Sequence, residues 1–318
     1  MLKVGVRQTN NQIRDNMISH IKLKKIKELS KSVTLKADEQ GYEFIVIDHQ
    51  NLNAAFTLHG GHLIHFQQKH QAPLIYLSER AIFNESKAIR GGVPICWPWF
   101  SKAKETLGMN LPSHGFARVS KWSVSTISED SNGVNIDFVL ASNAETKQLW
   151  DHDFLLTLKA SLGDSVTLDL VTKNTGTQDF SYSGALHTYL CVENIMQCSI
   201  EGLAENYSDS LDAGKNKKAP AKLTVNAELD SIHQTNEGDV MIKDTGNQRS
   251  IAVTNLGNDS VVVWNPWSDK SAAMADMPDN GYQNMLCIES AITAENGVLV
   301  KAGELHTLST VIKETAMK

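Results

Sequence analysis

The 318-residue sequence contains little cysteine, and its four cysteines are scattered. Cys96, Cys191, Cys198 and Cys287 lie in apolar segments without the Cys-x-x-Cys spacing of zinc and redox motifs. A chain of this length does not depend on a disulfide framework for folding. Nothing near these cysteines in the sequence would lower the pKa of a thiol. We therefore expect buried free thiols in a reducing cytoplasm and no catalytic cysteine.

Long apolar runs and an excess of positive charge are also lacking. No run reaches the roughly 18 apolar residues of a transmembrane helix, and the N-terminal segment lacks the apolar core of a secretory signal. The net charge is −6, which argues against nucleic acid or a membrane surface as the main partner. We expect a cytoplasmic monomer whose partner is a small molecule.

The sequence has no Ser/Pro-rich linker, no internal repeat and no low-complexity block. We therefore expect residues 32–318 to form one domain, preceded by an N-terminal extension over residues 1–31. Within that extension, residues 16–31 (NMISHIKLKKIKELSK) have many lysines and patchy helical spacing of apolar residues. This pattern predicts a short helix or a frayed extension outside the main fold.

Alternation of apolar and polar residues, in contrast, is frequent. Residues 134–142 (VNIDFVLAS) and 165–174 (SVTLDLVTKN) alternate with a period of two, as half-buried strands do. Residues 162–164 predict a hairpin turn. The sequence therefore predicts an all-β fold, a large antiparallel β-sandwich with a few short helices. Further candidate strands are 43–48, 180–192, 251–256, 261–264, 285–291, 298–301 and 306–313.

The segment LHGGHLIHFQQKH resembles a metal-binding cluster because it contains four histidines: His59, His62, His65 and His70. In an extended strand, His62 and His65 would point to opposite faces, and His59 would lie about 20 Å from His65. Zinc ligands must all lie about 2.0–2.3 Å from one ion. We therefore expect ordinary strand histidines here and no metal site.

Arg90 lies in the most unusual segment of the chain, residues 89–100 (IRGGVPICWPWF). Paired glycines, two prolines and two tryptophans favour neither a helix nor a plain strand. Glycine adopts backbone angles that other residues avoid and allows a ligand to approach closely. We therefore expect a loop that holds Arg90 against a ligand, with Trp97 and Trp99 as anchors of that loop.

A second dense segment, residues 111–122 (LPSHGFARVSKW), reads as a loop that enters a strand. His114 and Arg118 could share one face of it. Taken alone, they could equally be a histidine that caps a turn and a lone surface arginine. Together with Arg90, however, Arg118 could hold a phosphate through charge-assisted, multidentate hydrogen bonds.

His187 and Glu289 each lie within an apolar strand candidate. An ionised glutamate is almost never buried without a partner. The two residues could be a hydrogen-bonded core histidine and a solvent-facing glutamate, or an acid/base pair that meets across a cleft. Trp264, just before Asn265-Pro266, could present its ring to a sugar or could belong to the core. The sequence leaves both pairs of alternatives open.

Six segments together resemble one family, the hexose-6-phosphate mutarotases (glucose-6-phosphate 1-epimerases) of the galactose-mutarotase-like, aldose 1-epimerase superfamily. The resemblance extends in order from about residue 35 to the C-terminus, and the combination of IRGGVPICWPWF with HGFAR is specific. The segments are LSERAIFNESKAIRGGVPICWPWF, LPSHGFAR, GALHTYLCV, EGLAENYSDSLD, VVVWNPW and MLCIESA.

The resemblance implies an all-β supersandwich with an open cleft, and an enzyme that interconverts the anomers of hexose 6-phosphates without a cofactor or metal. It implies that His187 and Glu289 are catalytic. It also implies substrate binding by Arg90, Arg118, Ser113 and Asp230, to which we add His114 and Trp264. At Asp230 the family usually continues Arg-Ile-Tyr, whereas this chain has Ser-Ile-His.

Two other functions compete with this prediction. A non-catalytic sugar-phosphate-binding protein on the same fold would keep Arg90 and Arg118 but could lose His187 or Glu289, and both are present. A mutarotase of unphosphorylated hexoses would have no dianion for two guanidinium groups. We therefore predict the hexose-6-phosphate mutarotase.

Overall fold

The alternation of apolar and polar residues appears in the structure as alternating burial. This computed structural model describes residues 21–104, 111–234 and 238–317. In strands Phe154–Leu162 and Val166–Asn174, every second side chain is buried. The two strands pair antiparallel around a turn at residues 163–165, so the predicted hairpin is confirmed.

Neighbouring strands in the three larger sheets run antiparallel, and the predicted all-β sandwich class is confirmed. We number the strands β1 to β24 in chain order. The first sheet has five strands in sequential order: β1 Lys24–Glu28, β2 Val33–Ala37, β3 Glu43–Asp48, β4 Leu52–Thr57 and β5 His62–Gln68.

A nine-stranded sheet and an eight-stranded sheet form the rest of the sandwich. The nine-stranded sheet is ordered β17 Lys222–Leu223, β14 Cys198–Glu201, β19 Val240–Asp244, β20 Arg249–Leu256, β24 Leu305–Ala316, β10 Val166–Asn174, β9 Phe154–Leu162, β8 Val134–Ala141, β7 Ser123–Glu129. The eight-stranded sheet is ordered β16 Lys215–Lys218, β15 Asn206–Asp209, β18 Leu229–Gln234, β21 Ser260–Asn265, β22 Met285–Ile292, β12 Gly184–Leu186, β6 Ile95–Cys96, with β13 Tyr189–Cys191 also paired to β22.

The remaining two strands and the two α-helices are short. Strands β11 Phe180–Tyr182 and β23 Val298–Val300 form a separate pair, and the α-helices are α1 Ala144–Leu149 and α2 Trp267–Ala273. Neither helix has the length or the hydropathy that crossing a bilayer would require. The candidate strands at 43–48, 251–256, 261–264, 285–291, 298–301 and 306–313 are confirmed as β3, β20, β21, β22, β23 and β24.

The core lies between the sheets. Phe56 of β4 meets Phe138 of β8 with ring centroids 4.8 Å apart, which joins the five-stranded sheet to the nine-stranded one. Trp97, next to β6, packs against Phe154 of β9 at 4.5 Å and is fully buried. Aromatic pairs of this kind contribute about 0.5–1.5 kcal/mol each beyond the area that they bury.

The helix predicted at residues 16–31 is wrong for Lys24–Glu28, because these residues form strand β1. They pair with β2, whose backbone groups would otherwise lie at the edge of the sheet. A short isolated helix is marginal in water, so an available strand edge is the more stable partner. The expected extension therefore contributes a strand to the sheet from residue 24 onward. Residues 1–20 lie outside the described residues.

A buried arginine ties the nine-stranded sheet to the opposite sheet. Arg249 of β20 is ion-paired with Asp244 (3.1 Å) and Glu314 (2.6 Å). Its guanidinium also donates to the backbone carbonyl of Pro73 and to that of Cys191, which belongs to β13. Since these partners come from separate parts of the chain, Arg249 joins segments that only tertiary folding brings together.

Replacing this arginine should destabilise the fold strongly. Arg249→Met leaves the buried carboxylate of Asp244 and the partly buried one of Glu314 without their cation, which costs about 3–5 kcal/mol of unfolding free energy. The control Lys243→Met removes a half-buried cation of the same sheet and should cost no more than about 0.5 kcal/mol. Urea unfolding followed by fluorescence measures both. Equal losses for the two variants would contradict the role given to Arg249.

Candidate functional site

His187 and Glu289 meet at a break in the eight-stranded sheet. The strand expected over residues 180–192 is interrupted, since β12 ends at Leu186 and β13 begins at Tyr189, and both pair with β22. In this break the His187 N–H donates to the carbonyl of Pro94. Glu289 of β22 is only 1% exposed, so the solvent-facing alternative is wrong. His187 Nε2 lies 3.3 Å from Glu289 Oε1.

Both members of this pair are driven towards their neutral forms. Burial raises the pKa of Glu289 well above its ordinary value, Asp230 raises it further, and Arg118 opposes the shift. Burial lowers the pKa of His187 well below 6.5, and His114 and Arg118 lower it further. The favoured state of the pair is therefore a neutral carboxylic acid beside a neutral imidazole.

Aromatic rings hold the imidazole in place. Tyr189 stacks on His187 with ring centroids 4.9 Å apart and planes 10° apart. Trp264 and His114 contact the same ring edge-on, each at 6.0 Å. Trp264 is 8% exposed, so it both lines the cavity and packs against the catalytic candidate. Trp264 can therefore both belong to the packed core and present its ring to a sugar in the cavity, the two roles that the sequence left open.

The glycine pair after Arg90 lets its loop pack directly on the five-stranded sheet. Gly92 has φ +72°, and a Cβ there would lie 2.4 Å from His62 Nε2 and from the Leu63 carbonyl. His62 Nε2 donates to the carbonyl of Gly91 at 2.9 Å. A histidine from the apparent metal cluster thus supports the loop that carries Arg90.

The guanidinium of Arg90 is fixed by two side chains that the sequence did not suggest. Its Nε donates to Asp276 Oδ1 and its Nη1 to the hydroxyl of Tyr189, both at 3.2 Å. An arginine has five donors, so the other three are available to a ligand. Tyr189 therefore contacts both Arg90 and His187.

The HGFAR segment is anchored by the two tryptophans of the neighbouring loop. A Cβ on Gly115, which has φ +70°, would lie 1.9 Å from the Trp97 carbonyl. Trp99 Nε1 donates to the carbonyl of Pro112 at 2.8 Å. Both tryptophans are buried, which confirms the prediction that they anchor their loop.

His114 enters the site in a defined tautomer. Its Nδ1 accepts a hydrogen bond from the Ser101 N–H, so the proton of the neutral ring is on Nε2. Burial lowers the pKa of His114 to about 4, with Arg118 and Arg90 adding to the shift. At neutral pH, His114 is therefore an uncharged hydrogen-bond donor.

These segments enclose one cavity of about 300 Å³. A wider hollow of about 500 Å³ adjoins it and shares Phe100, His114 and Asp230 with it. The cavity contains both members of the pair together with cationic, anionic and aromatic side chains. Its lining residues are Arg90, Phe100, His114, Arg118, His187, Tyr189, Asp230, Val262, Trp264, Lys270 and Glu289.

Comparison with known proteins identifies the family. Residues 43–313 match the sequence profile described as aldose 1-epimerase. An Escherichia coli K12 protein named "putative glucose-6-phosphate 1-epimerase" is 35% identical over 277 residues, 87% of this chain and 91% of the relative. A Cenchrus ciliaris protein of the same name is 36% identical over 267 residues, 80% of this chain and 79% of the relative.

The chain belongs to the aldose 1-epimerase family.

Solved structures agree with this membership. The crystal structure of a "putative mutarotase" from Salmonella typhimurium has a TM-score of 0.86 and 31% identity, covering 92% of this chain and 97% of that one. A galactose mutarotase related enzyme from Lactobacillus acidophilus has a TM-score of 0.67 at 14% identity, covering 86% and 97%. The latter likeness concerns the fold alone.

Most residues predicted for this aldose 1-epimerase family member come together, but the Ser113 side chain does not line the cavity. The Oγ of Ser113 donates to the Ser101 carbonyl at 3.2 Å. Its own carbonyl accepts from Arg118 Nη2 at 2.7 Å, so the backbone of Ser113 orients an arginine. Asp230 of β18 lies in the cavity, where burial raises the pKa of its carboxyl.

Sequence reasoning missed Lys270 and Asp276 as well as Tyr189. Lys270 of α2 lines the cavity with its ammonium 2.7 Å from Glu228. The only feature of the sequence that pointed to the start of α2 was Asn265-Pro266. In the structure the Asn265 side chain accepts a hydrogen bond from the Trp267 N–H, where α2 begins. Nothing in the spacing of these residues indicated that α2 or the segment around Asp276 would face Arg90.

The candidate metal ligands also differ from those considered in the sequence. Among the described residues, one group of three or more such side chains has donor atoms within 4.8 Å of one another: His187, Cys287 and Glu289. The histidines at 59, 62 and 65 are buried, and His62 is engaged with the Arg90 loop.

The protonation state of the pair can be measured directly. At pH 6, about three-quarters of ordinary histidines with a pKa of 6.5 carry a second proton. Because the pKa of His187 is lowered, its ring should still be neutral at that pH. Nitrogen-15 NMR of the imidazole reports this, with the signal assigned by its loss in His187→Asn. An imidazolium signal for His187 at pH 6 would contradict the predicted state.

Proposed function

We propose that this aldose 1-epimerase family member interconverts the α and β anomers of hexose 6-phosphates, D-glucose 6-phosphate among them. The observation that carries the proposal is the buried His187–Glu289 pair in a cavity that also contains Arg90 and Arg118. The names of the Escherichia coli and Cenchrus ciliaris relatives point to the same substrate.

Mutarotation opens and recloses a hemiacetal, so it needs one group that removes a proton and another that supplies one. We assign Glu289 as the base for the anomeric hydroxyl and His187 as the acid for the ring oxygen. Transfer of the proton that they share from Glu289 to His187 gives the carboxylate and the imidazolium that begin the reaction. Each proton carrier typically contributes about 10²–10⁴-fold to the rate.

Ring opening returns the pair to its neutral state. Glu289 takes the proton of the C1 hydroxyl, His187 Nε2 gives its proton to the ring oxygen, and the C1–O5 bond breaks to leave an aldehyde. Rotation about C1–C2 exposes the other carbonyl face. Closure reverses both transfers, so no proton is gained or lost. The neutral form that burial favours is therefore the form that accompanies the open chain.

The cations of the cavity suit the other end of the substrate. Arg90 has donors left after its contacts with Asp276 and Tyr189, and Arg118 is oriented by the Ser113 carbonyl. Guanidinium groups bind phosphate oxygens through paired, charge-assisted hydrogen bonds. We assign these two arginines to the phosphate.

The uncharged His114 and the carboxyl of Asp230 remain for the sugar itself. We assign His114, which donates through Nε2, and Asp230 to the sugar hydroxyls, and Trp264 to one wall of the cavity. A hydroxyl that bonds to both a donor and an acceptor is held in one orientation. The ring oxygen and the anomeric hydroxyl are then presented to the acid/base pair.

Two alternatives make different demands on the same cavity. A sugar-phosphate-binding protein without activity would not need a histidine and a glutamic acid that share one proton at 3.3 Å. A mutarotase of free hexoses would not need Arg90 and Arg118 beside them. Anomer-exchange NMR of glucose 6-phosphate and glucose with the purified protein separates all three functions.

The acid/base assignment predicts the effect of two near-isosteric substitutions. His187→Asn and Glu289→Gln should each lower kcat for glucose 6-phosphate by about two to four orders of magnitude, because each removes one proton carrier. Anomer-exchange NMR measures kcat, and thermal unfolding checks that both variants are folded. Near-wild-type exchange in either folded variant would disprove its role.

The phosphate assignment predicts a loss that depends on the substrate. Arg90→Ala or Arg118→Ala should lower kcat/KM for glucose 6-phosphate about 10–150-fold, since a hydrogen bond to a charged group contributes about 1.5–3 kcal/mol. The kcat/KM for glucose should barely change. Arg→Lys should restore part of the loss, because lysine keeps the charge but not the planar fork.

Arg80→Ala is the matched control, because Arg80 pairs with Asp279 and does not line the cavity. Its kcat/KM values should equal those of the wild type. An equal loss on phosphorylated and free glucose in the Arg90 or Arg118 variants would mean that these arginines hold the loop or the hydroxyls.

A further inference from the structure

A cysteine lies directly beside the acid/base pair. Cys287 precedes Glu289 by two residues on β22, so the two side chains point to the same face of the sheet. Together with His187 they bring a thiol, a carboxyl and an imidazole within 4.8 Å of one another. The proposed mutarotation uses the carboxyl and the imidazole and has no role for the thiol.

These three groups are the ligand types that zinc prefers. Zinc binds cysteine sulfur at about 2.3 Å and histidine nitrogen or carboxylate oxygen at about 2.0–2.2 Å in tetrahedral sites. Ligand atoms of such a site lie roughly 3.5 Å apart. His187 Nε2 and Glu289 Oε1 are already at 3.3 Å, and the sulfur lies within 4.8 Å of the ligand atoms of both residues.

The surroundings of the group also suit a bound cation. Glu289 is almost completely buried, and its Oε2 has no hydrogen-bond partner among the described residues. A thiolate and a carboxylate together carry two negative charges, which would neutralise a divalent ion. The assembled site would therefore add no net positive charge next to Arg90 and Arg118.

We propose that His187, Cys287 and Glu289 form a binding site for divalent zinc, whose occupation reversibly inhibits the enzyme. Binding displaces the proton of the thiol and that of the carboxylic acid, and the metal takes the lone pairs that proton transfer requires. The fourth coordination position faces the cavity and is left to water. Because two protons are released, zinc binding strengthens as the pH rises.

Cobalt(II) is the direct probe, because a cobalt–thiolate bond gives a near-ultraviolet charge-transfer band that oxygen and nitrogen ligands do not. Wild-type protein titrated with cobalt chloride should show this band. Cys96→Ala is the matched control: Cys96 is also buried and free, and Arg118 and Glu289 influence the pKa of its thiol, but it is not in the ligand group. The band should persist in Cys96→Ala and vanish in Cys287→Ala.

Inhibition gives a second measurement. Zinc should inhibit anomer exchange in the wild type and in Cys96→Ala, with EDTA restoring the activity. In Cys287→Ala the zinc inhibition constant should rise at least tenfold, because removing one partner of a metal site typically weakens metal affinity by that much. The constant is measured relative to the activity of the variant without zinc. Cys287→Ser, which retains a polar group but no sulfur, replaces Cys287→Ala if that variant does not fold.

Two results would overturn the site: no sulfur band in the wild type, or equal zinc inhibition in the wild type and the Cys287 variant. The cobalt titration does not depend on catalysis. Wild-type protein that shows the band but exchanges no anomers would refute the proposed function and leave the metal site standing.

Discussion

The site depends on one constraint, the placement of a carboxyl group and an imidazole 3.3 Å apart within a desolvated part of a β-sheet. The chain interrupts the strand pairing at His187, whose N–H donates to the Pro94 carbonyl, and the imidazole lies 3.3 Å from the Glu289 carboxyl. Because both groups are desolvated, each favours its neutral form, which keeps the proton on the Glu289 carboxyl.

The positions of Arg90 and Arg118 in the cavity depend on close backbone packing of the two loops that carry them. Arg90 precedes Gly92, where its loop packs against His62, and Arg118 follows Gly115, where its loop packs against the Trp97 carbonyl. A side chain at either glycine would collide with these neighbours, and both glycines have positive φ. The two loops come from different parts of the chain, so the sandwich core on which the tryptophans pack sets the distance between the two guanidinium groups.

The desolvation that suits the pair to the proposed proton transfer also suits it to the proposed metal binding. The lone pairs of Glu289 and His187 can accept a proton or a metal ion, and Cys287 adds a third donor. The proposed phosphate selectivity and the proposed metal site would therefore involve neighbouring groups, since Arg90, Arg118, His187 and Glu289 all line one cavity. The arginines of the cavity favour an anion. The group formed by His187, Cys287 and Glu289 can bind a cation only when the negative charges of these ligands neutralise it.

The sequence by itself determined the strands that have one buried and one more exposed face, because alternation of apolar and polar residues is a local property of the chain. It also determined, through six motifs, the family and most of the cavity residues. Tertiary structure alone decided the break at His187, the strand at Lys24–Glu28 in place of a helix, and the pairing of Asp276 with Arg90. These features depend on partners far away in sequence: a free sheet edge for the N-terminal strand, a carbonyl at Pro94, and a carboxylate 186 residues from its arginine. Periodicity and propensity act over a few residues, so they carry no information about which distant groups will meet.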